Sequence, residues 1–169
     1  WFIVIQNDNI IKVYNFNSKE LVHENIIDGY NIEAMYLYSD EILLVILTDA
    51  SKNVYSFGSK SPKIGLYQIR KNHFISEMNL ASIGNHFSFA PKTNKKLFLV
   101  LMPGNILEIY SIVQANLLAK VLLEQNIGNI IFTGALSDTS ILVGSETSLC
   151  IYDIGMQNRM RKTISFQSV

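Results

Sequence analysis

The segment Leu149-Cys150-Ile151-Tyr152 sets the pattern that decides the fold, because three other segments repeat it. In each segment, apolar residues alternate along a short stretch that ends in tyrosine. The other three are Ile11-Lys12-Val13-Tyr14, Ile64-Gly65-Leu66-Tyr67 and Leu107-Glu108-Ile109-Tyr110. Alternation with a period of two residues is typical of β-strands, so we predict four equivalent strands.

The spacing of these segments indicates a repeated structural unit. The tyrosines lie at positions 14, 67, 110 and 152, which gives intervals of 53, 43 and 42 residues. Each segment follows an apolar run, with turn formers such as Pro103-Gly104-Asn105 between them. Flanking apolar stretches complete four strands per unit, with the spacing typical of β-propeller blades. The first interval is longer, and we explain this by an insertion at residues 49–63.

The predicted fold class is therefore all-β: a β-propeller fragment of four-stranded antiparallel blades. A partial blade at residues 1–26, without its first strand, precedes blades at 29–80, 84–123 and 128–167. About three and a half blades cannot close a ring, because propellers usually have four to eight. Both ends of the sequence are strand-like, so we expect the remaining blades to come from a longer chain or from a partner.

The segment Ala115–Gln125 gives conflicting signals. It is rich in helix formers, and Leu117, Leu118, Val121 and Leu122 would share one helical face. Its place in the repeat predicts an outer strand instead. We favour the strand, because position in a repeat carries tertiary information that local propensity lacks.

The composition excludes several classes of protein. The chain has 14 basic and 14 acidic residues, so we expect no nucleic-acid partner. Hydrophobic residues make up 49% of the sequence, which excludes a disordered tail. The single cysteine, Cys150, cannot form an internal disulfide, and this favours an intracellular protein, cytoplasmic or nuclear.

The sequence resembles a degenerate WD40-repeat propeller. In Ile151-Tyr152-Asp153-Ile154, Tyr-Asp stands in the place of the family's Trp-Asp pair. The other repeats, Tyr14-Asn15-Phe16, Tyr67-Gln68-Ile69 and Tyr110-Ser111-Ile112, keep the aromatic residue and lose the acid. The Gly-His pair of the family is absent, so its hydrogen-bonded His, Asp and Trp network is not implied here.

The insertion carries a narrower resemblance, to the phosphoinositide-binding propellers of autophagy. Their second blade has a long insertion between its second and third strands, as this chain has between Leu47 and Ile64. Those proteins bind lipid through an Arg-Arg-Gly motif in a later blade, which this sequence does not contain. The resemblance therefore implies membrane lipid as a partner without supplying the residues that would bind it.

Two polar segments are candidate contact sites. The insertion carries Ser59, Lys60, Ser61 and Lys63, whose hydroxyl and ammonium groups suit a phosphate or an acidic peptide, and whose alternative role is a solvated loop. Arg159, Arg161 and Lys162 form a basic run that suits lipid head groups. Its alternative role is a charged strand edge that discourages aggregation.

The sequence contains no constellation typical of an enzyme. Its histidines, His23, His73 and His86, lack the spacing of a metal site, and Cys150 has no second thiolate beside it. We therefore predict no catalytic, cofactor-binding or metal-binding residues. The recurring tyrosines are interpreted as packing residues, with an aromatic binding ring as the alternative.

From these features we predict a non-catalytic interaction scaffold, part of a WD40-like propeller within a multiprotein assembly. Its partners would be other protein subunits. The alternative is a phosphoinositide-binding propeller that is recruited to membranes in autophagy.

Overall fold

The computed structural model describes residues 2–50, 60–82, 84–124, 127–154 and 160–165, with the backbone alone for residues 3, 5 and 160–165. These residues form fifteen strands and no helix. The strands are β1 (Phe2–Asn7), β2 (Ile10–Asn15), β3 (Leu21–Ile26), β4 (Tyr30–Ser39), β5 (Ile42–Asp49), β6 (Lys63–Gln68), β7 (His73–Asn79), β8 (His86–Ala90), β9 (Leu97–Met102), β10 (Ile106–Ser111), β11 (Asn116–Leu122), β12 (Ile130–Ser137), β13 (Ser140–Ser145), β14 (Ser148–Asp153) and β15 (Met160–Ser165).

The strands form four antiparallel sheets in chain order. The first sheet has three strands, β1-β2-β3, and the others have four: β4-β5-β6-β7, β8-β9-β10-β11 and β12-β13-β14-β15. The prediction of an all-β fold is confirmed, and the four-stranded sheets are compatible with propeller-like blades. That residues 1–26, 29–80, 84–123 and 128–167 are the blades of one ring stays a prediction.

The chain divides into two compact units, residues 1–83 and 84–169, and each contains two sheets that pack on one core. In unit 1 the core joins the first two sheets; its buried residues are Ile11, Val13, Ile27, Ile32, Leu43, Val45, Leu47, Tyr67 and Ile69. In unit 2 the core joins the third and fourth sheets; its buried residues are Leu97, Leu99, Leu101, Leu107, Ile109, Val121, Leu123, Ile127, Ile141, Val143, Cys150 and Tyr152.

The same irregularity recurs in every sheet, at the tyrosine. The pairing of the third and last strands shifts register just before Tyr67, Tyr110 and Tyr152, and just before Tyr14 in the three-stranded sheet. Each shift skips one residue on the last strand, which is a β-bulge. Because a bulge bends and twists its strand, the repeated position gives the four sheets the same local geometry.

A backbone hydrogen bond after the last strand recurs in three of the sheets. The backbone N–H that follows the last strand donates to the turn between the two strands before it, from Ile27 to Asn9 (2.8 Å), Leu80 to Pro62 (2.7 Å) and Leu123 to Asn105 (2.9 Å). Donor and acceptor are 18 residues apart in each case. The sequence repeat is thus also a repeat of hydrogen bonds.

The strand bounds confirm the prediction of a strand after Ala115, and they locate the predicted insertion between two strands. Strand β11, and not a helix, lies in the segment Ala115–Gln125. The strand begins after Ala115, whose φ of 51° is incompatible with an α-helix. The long connection lies between β5, which ends at Asp49, and β6, which begins at Lys63. Residues 51–59 of that connection are outside the described residues.

A substitution of Gly65 tests how closely Phe74 packs on the second sheet. A Cβ at Gly65 would lie 2.5 Å from the ring of Phe74, which itself packs edge-on against Tyr67 at 5.4 Å between centroids. We expect Gly65→Ala to lower the free energy of unfolding by about 1–3 kcal/mol, because the ring must move. Denaturant titration measures the change.

Gly144→Ala is the matched control, because a Cβ there would meet neighbours only at 3.5 Å or more, an ordinary contact distance. We expect it to leave the unfolding midpoint nearly unchanged. Equal destabilisation by both substitutions would contradict this account of Gly65.

Candidate interaction surfaces

The fourth sheet packs one face and leaves the other partly exposed. Along β14 the residues alternate: Cys150 and Tyr152 are fully buried in the core of unit 2, whereas Leu149 and Ile151 are partly exposed. Leu142 of β13 pairs with Ile151 and shares its face. We call Phe132, Leu142, Leu149 and Ile151 the open face.

The open face repeats a surface that is buried in the third sheet. Tyr110 pairs with Phe98 as Tyr152 pairs with Ile141, which aligns the two sheets residue by residue. In this alignment Leu142, Leu149 and Ile151 correspond to Leu99, Leu107 and Ile109. Those three counterparts are 0% exposed in the core of unit 2. The fourth sheet therefore presents partly to solvent the kind of surface that the third sheet packs completely.

An aromatic ring lies across the open face. Phe132 is 47% exposed, and a Cβ at Gly134 would come within 2.9 Å of its Cζ. Gly144 pairs with Phe132 on the neighbouring strand. Gly134 thus lets the ring lie close to the sheet. The result is a flat apolar surface suited to another sheet or another apolar surface.

Unit 1 contains an apolar cleft beside strand β1. We call it the cleft; it has a volume of about 400 Å³. Its walls are apolar and its rim is charged; the lining residues are Phe2, Val4, Leu37, Leu43 and Ile69, with Asp40, Glu41 and Arg70 at the rim. Among the described residues, β1 pairs with β2 alone, so its other edge borders the cleft without a neighbouring strand.

The rim of the cleft is held by an ion pair. Arg70 Nε lies 2.6 Å from Glu41 Oε1, and its guanidinium lies 5.9 Å from the centroid of the Phe2 ring. Arg70 is 64% exposed, so the pair contributes little to stability. Sequence reasoning missed this site, because its residues come from separate segments of the chain.

In the candidate contact loop, the structure describes Lys60, Ser61 and Lys63. Both lysines contact other residues. Lys63 Nζ binds both carboxylate oxygens of Glu77, at 2.8 and 2.9 Å. Lys60 donates its backbone N–H to Asp49, and its Nζ lies 4.8 Å from the Tyr30 ring centroid. Lys63 lies over the same ring at 4.4 Å. These contacts tie the end of the insertion to strand β4.

The other two members of that loop add little to a contact site. Ser61 is exposed, and Ser59 lies outside the described residues. Because Lys63 is neutralised by Glu77, Lys60 is the lysine better placed to meet an anion.

The basic run is located only in part. Arg159 lies outside the described residues, whereas Arg161 and Lys162 belong to β15, the last strand of the fourth sheet. Lys162 pairs with Ile151, and Arg161 is the residue skipped at the β-bulge. The run is therefore at a sheet edge, as both of its sequence interpretations require.

A buried carboxylate lies in the third sheet. Glu108 is 3% exposed; its Oε1 lies 2.6 Å from Lys120 Nζ, and its Oε2 accepts a hydrogen bond from the Tyr110 hydroxyl at 2.7 Å. Burial alone would raise the pKa of Glu108. The hydrogen bonds from Lys120 and Tyr110 and the charge of Lys120 outweigh burial, so the pKa is lowered. A carboxylate held ionised by such partners suits packing better than proton transfer.

The tyrosine positions are packing positions in three of the four sheets. Tyr67, Tyr110 and Tyr152 are at most 3% exposed, and Tyr14 is half-buried. Burial raises the pKa of Tyr67 and Tyr152. The interpretation of these residues as packing residues is confirmed for the three, and Cys150 is buried beside Tyr152.

The remaining chemistry of the described residues is sparse. They contain no group of three or more His, Cys, Asp and Glu side chains arranged to hold a metal ion. His86 lines a polar groove with Asn85, Asn105 and Asn129. No helix among them is long and apolar enough to cross a membrane.

No family model matches the chain, and no curated protein matches it either.

The lowered pKa of Glu108 predicts a pH dependence of stability. A carboxylate with a lowered folded-state pKa contributes stability that is present above its unfolded-state pKa, about 4.3, and lost as the pH falls through the folded-state pKa. We expect Glu108→Gln to cost roughly 1–3 kcal/mol at pH 7. This difference from the wild type should shrink between about pH 5 and pH 3.

Denaturant titrations at several pH values measure the difference, and Glu146→Gln in an exposed turn is the control. A destabilisation by Glu108→Gln that stays constant from pH 7 to pH 3 would contradict the assigned ion pair.

Proposed function

We propose that this protein is a non-catalytic interaction scaffold, part of a WD40-like β-propeller that presents sheet surfaces to other protein subunits. The single observation that supports this most is the open face of the fourth sheet. It is an apolar sheet surface whose counterparts in the third sheet are fully buried.

Apolar side chains that stay exposed to water on the open face leave the free energy of their burial unrealised. Burial of apolar surface contributes roughly 25 cal/mol per Å², and covering leucine, isoleucine and phenylalanine side chains would stabilise an assembly substantially. Sheet faces pack about 10 Å apart with interdigitating side chains. A second β-sheet is therefore the partner surface whose shape suits the open face best.

The WD40-like assignment is supported by the repeated tyrosine, the repeated β-bulge and the repeated closing hydrogen bond. All three recur at the blade spacing that the sequence predicts. Fold alone does not determine function, so the scaffold role depends on the open face and not on the repeat.

One observation supports a second candidate, a phosphoinositide-binding propeller. The connection between β5 and β6 is long, and Lys60 at its end is exposed. Against it, Lys63 is neutralised by Glu77. This function predicts binding to phosphoinositide vesicles that weakens as salt concentration rises.

Leu142→Asp on the open face separates the two functions. Leu142 is half-buried, so we expect some loss of folding stability, which denaturant titration measures separately. An aspartate that docking would bury strongly opposes assembly. Native mass spectrometry of the protein isolated from its source should show other subunits with the wild type. With Leu142→Asp, the share of assembled protein should fall at least about tenfold, which corresponds to 1.4 kcal/mol.

Leu122→Asp is the matched control, because Leu122 is exposed on the last strand of the third sheet. It should leave the assembly intact. Wild-type protein that isolates without other subunits and binds phosphoinositide vesicles would overturn the scaffold and favour the lipid binder.

A further inference from the structure

In unit 1, two hydrogen bonds join the first sheet to the beginning of the second. The Gln6 side chain donates from Nε2 to the carbonyl oxygen of Ile32 at 2.8 Å. The backbone N–H of Ile32 donates to the carbonyl oxygen of Asp8, in the turn between β1 and β2, at 2.6 Å. Strand β1 and its turn are thus bonded directly to β4.

The strand registers locate the same junction in unit 2. Leu101 of β9 corresponds to Gln6 of β1, counted from the tyrosine of the paired strand. Ile130 of β12 corresponds to Ile32 of β4, and a β-bulge follows each of the two isoleucines. Because a leucine side chain has no N–H, the bond made by Gln6 has no equivalent in unit 2.

A groove with a volume of about 610 Å³ lies at this junction in unit 2, and we call it the polar groove. Two connections beside it are longer than in unit 1. The turn between β9 and β10 spans residues 103–105 instead of 8–9, and the connection before β12 spans 123–129 instead of 27–29. The residues that line the polar groove are Asn85, His86, Leu101, Asn105, Gly128, Asn129 and Ile130.

The lining of the polar groove suits an uncharged ligand that both donates and accepts hydrogen bonds. Asn85, Asn105 and Asn129 each offer a carboxamide, which has donors and an acceptor. None of the described lining residues is Lys or Arg, so a phosphate would lack its usual partners. None of them is Phe, Tyr or Trp, so a nucleobase would lack a ring on which to stack.

Unit 1 shows which groups fit at this place. There, a carboxamide N–H binds the carbonyl of Ile32, and a peptide carbonyl binds its N–H. Ile130 has the same place in its ladder, so its N–H and carbonyl face the polar groove rather than β13. The matching ligand therefore carries an amide N–H and a peptide carbonyl, as a short segment of protein does.

The repeat accounts for this junction without any further strand. In unit 1, β1, its turn and β4 close the junction alone, and unit 2 contains the counterpart of each. The face or the edge of a sheet is covered by the next sheet of a repeat, whereas this junction already lies between two sheets of one unit. The ligand of the polar groove is therefore not another repeat of the same fold, and this favours a separate protein.

We propose that the polar groove binds an uncharged loop segment of a partner protein. The segment places an amide N–H on the Ile130 carbonyl and a peptide carbonyl on the Ile130 N–H, and the asparagine carboxamides bind its neighbouring peptide groups. A glutamine side chain can supply the N–H, as Gln6 does in unit 1. This inference rests on the proposed function, since it names one partner contact of the scaffold.

Two short peptides that differ in one side chain test the ligand chemistry. Acetyl-Gly-Gln-Asn-Gly-amide and acetyl-Gly-Glu-Asn-Gly-amide are each titrated into the full 169-residue chain, labelled with a nitrogen isotope for NMR. The side-chain amide resonances of Asn85, Asn105 and Asn129 report binding. We expect saturable shifts with the glutamine peptide and binding at least about fivefold weaker with the glutamate peptide, because an ionised carboxylate cannot donate to the Ile130 carbonyl.

Variants of the chain test the site itself. Leu101→Gln should abolish peptide binding, because its carboxamide restores the arrangement of unit 1 and closes the polar groove. Leu101→Met is the matched control, since it fills the same place without an N–H and should keep binding. Asn129→Ala should weaken binding about three- to tenfold, whereas Asn94→Ala in an exposed turn should not change it. Circular dichroism and unfolding midpoints confirm that each variant is folded.

Photo-crosslinking of the natural polypeptide in its native assembly tests the source of the ligand. With Asn129→p-benzoylphenylalanine, we expect a crosslink to another polypeptide, at a segment without charged side chains that mass spectrometry identifies. Adding Leu101→Gln should remove this crosslink. A crosslink within the same polypeptide would overturn the assignment to a partner.

The outcomes distinguish this inference from the proposed function. Absence of shifts, equal binding of the two peptides, or binding that persists with Leu101→Gln would overturn the assignment of the polar groove. Shifts of the same asparagines with glucose but not with the glutamine peptide would also overturn it. The scaffold would still stand if Leu142→Asp disrupts the native assembly, because the open face is a separate surface.

Discussion

The structure depends on one repeated contact, in which the tyrosine-bearing face of a sheet packs against the apolar face of the sheet before it. In unit 1 the Tyr67 hydroxyl donates to Asn72, and Asn72 in turn donates to the carbonyl of Glu24 at the end of the preceding sheet. In unit 2 the Tyr152 hydroxyl accepts the backbone N–H of Glu124, just after the preceding sheet, at 3.3 Å. Each tyrosine thus fills the core and satisfies polar groups at its edge.

This contact explains why the sequence repeat predicted the fold so well. Alternation and period fixed the strands, the insertion and the strand nature of β11, because each depends on local pattern and on the tyrosine register. The contact surfaces were harder to predict. The cleft combines Phe2, Asp40 and Arg70, which are far apart in sequence, and the ion pair of Glu108 with Lys120 crosses two strands. Only the register of the sheets brings such residues together.

The role of the candidate contact residues was also hard to predict from the sequence, because it depends on partners that are distant in sequence. A run of hydroxyls and lysines predicts a phosphate site only if the lysines lack acidic partners, and Glu77 already binds Lys63. The open face was not visible as a site in the sequence, because Leu142 and Ile151 look like core residues there. Their exposure depends on whether another sheet follows, so apolar core residues and apolar contact residues share one sequence pattern.

The central claim is that the open face of the fourth sheet continues the series of sheet contacts. The most direct test is an experimental structure of the protein in its native assembly, at a resolution that shows side chains. The account predicts a β-sheet packed on Leu142, Leu149 and Ile151, with an aromatic residue at the register of Tyr152 in that sheet. Solvent or lipid against this face in the assembled state would contradict it.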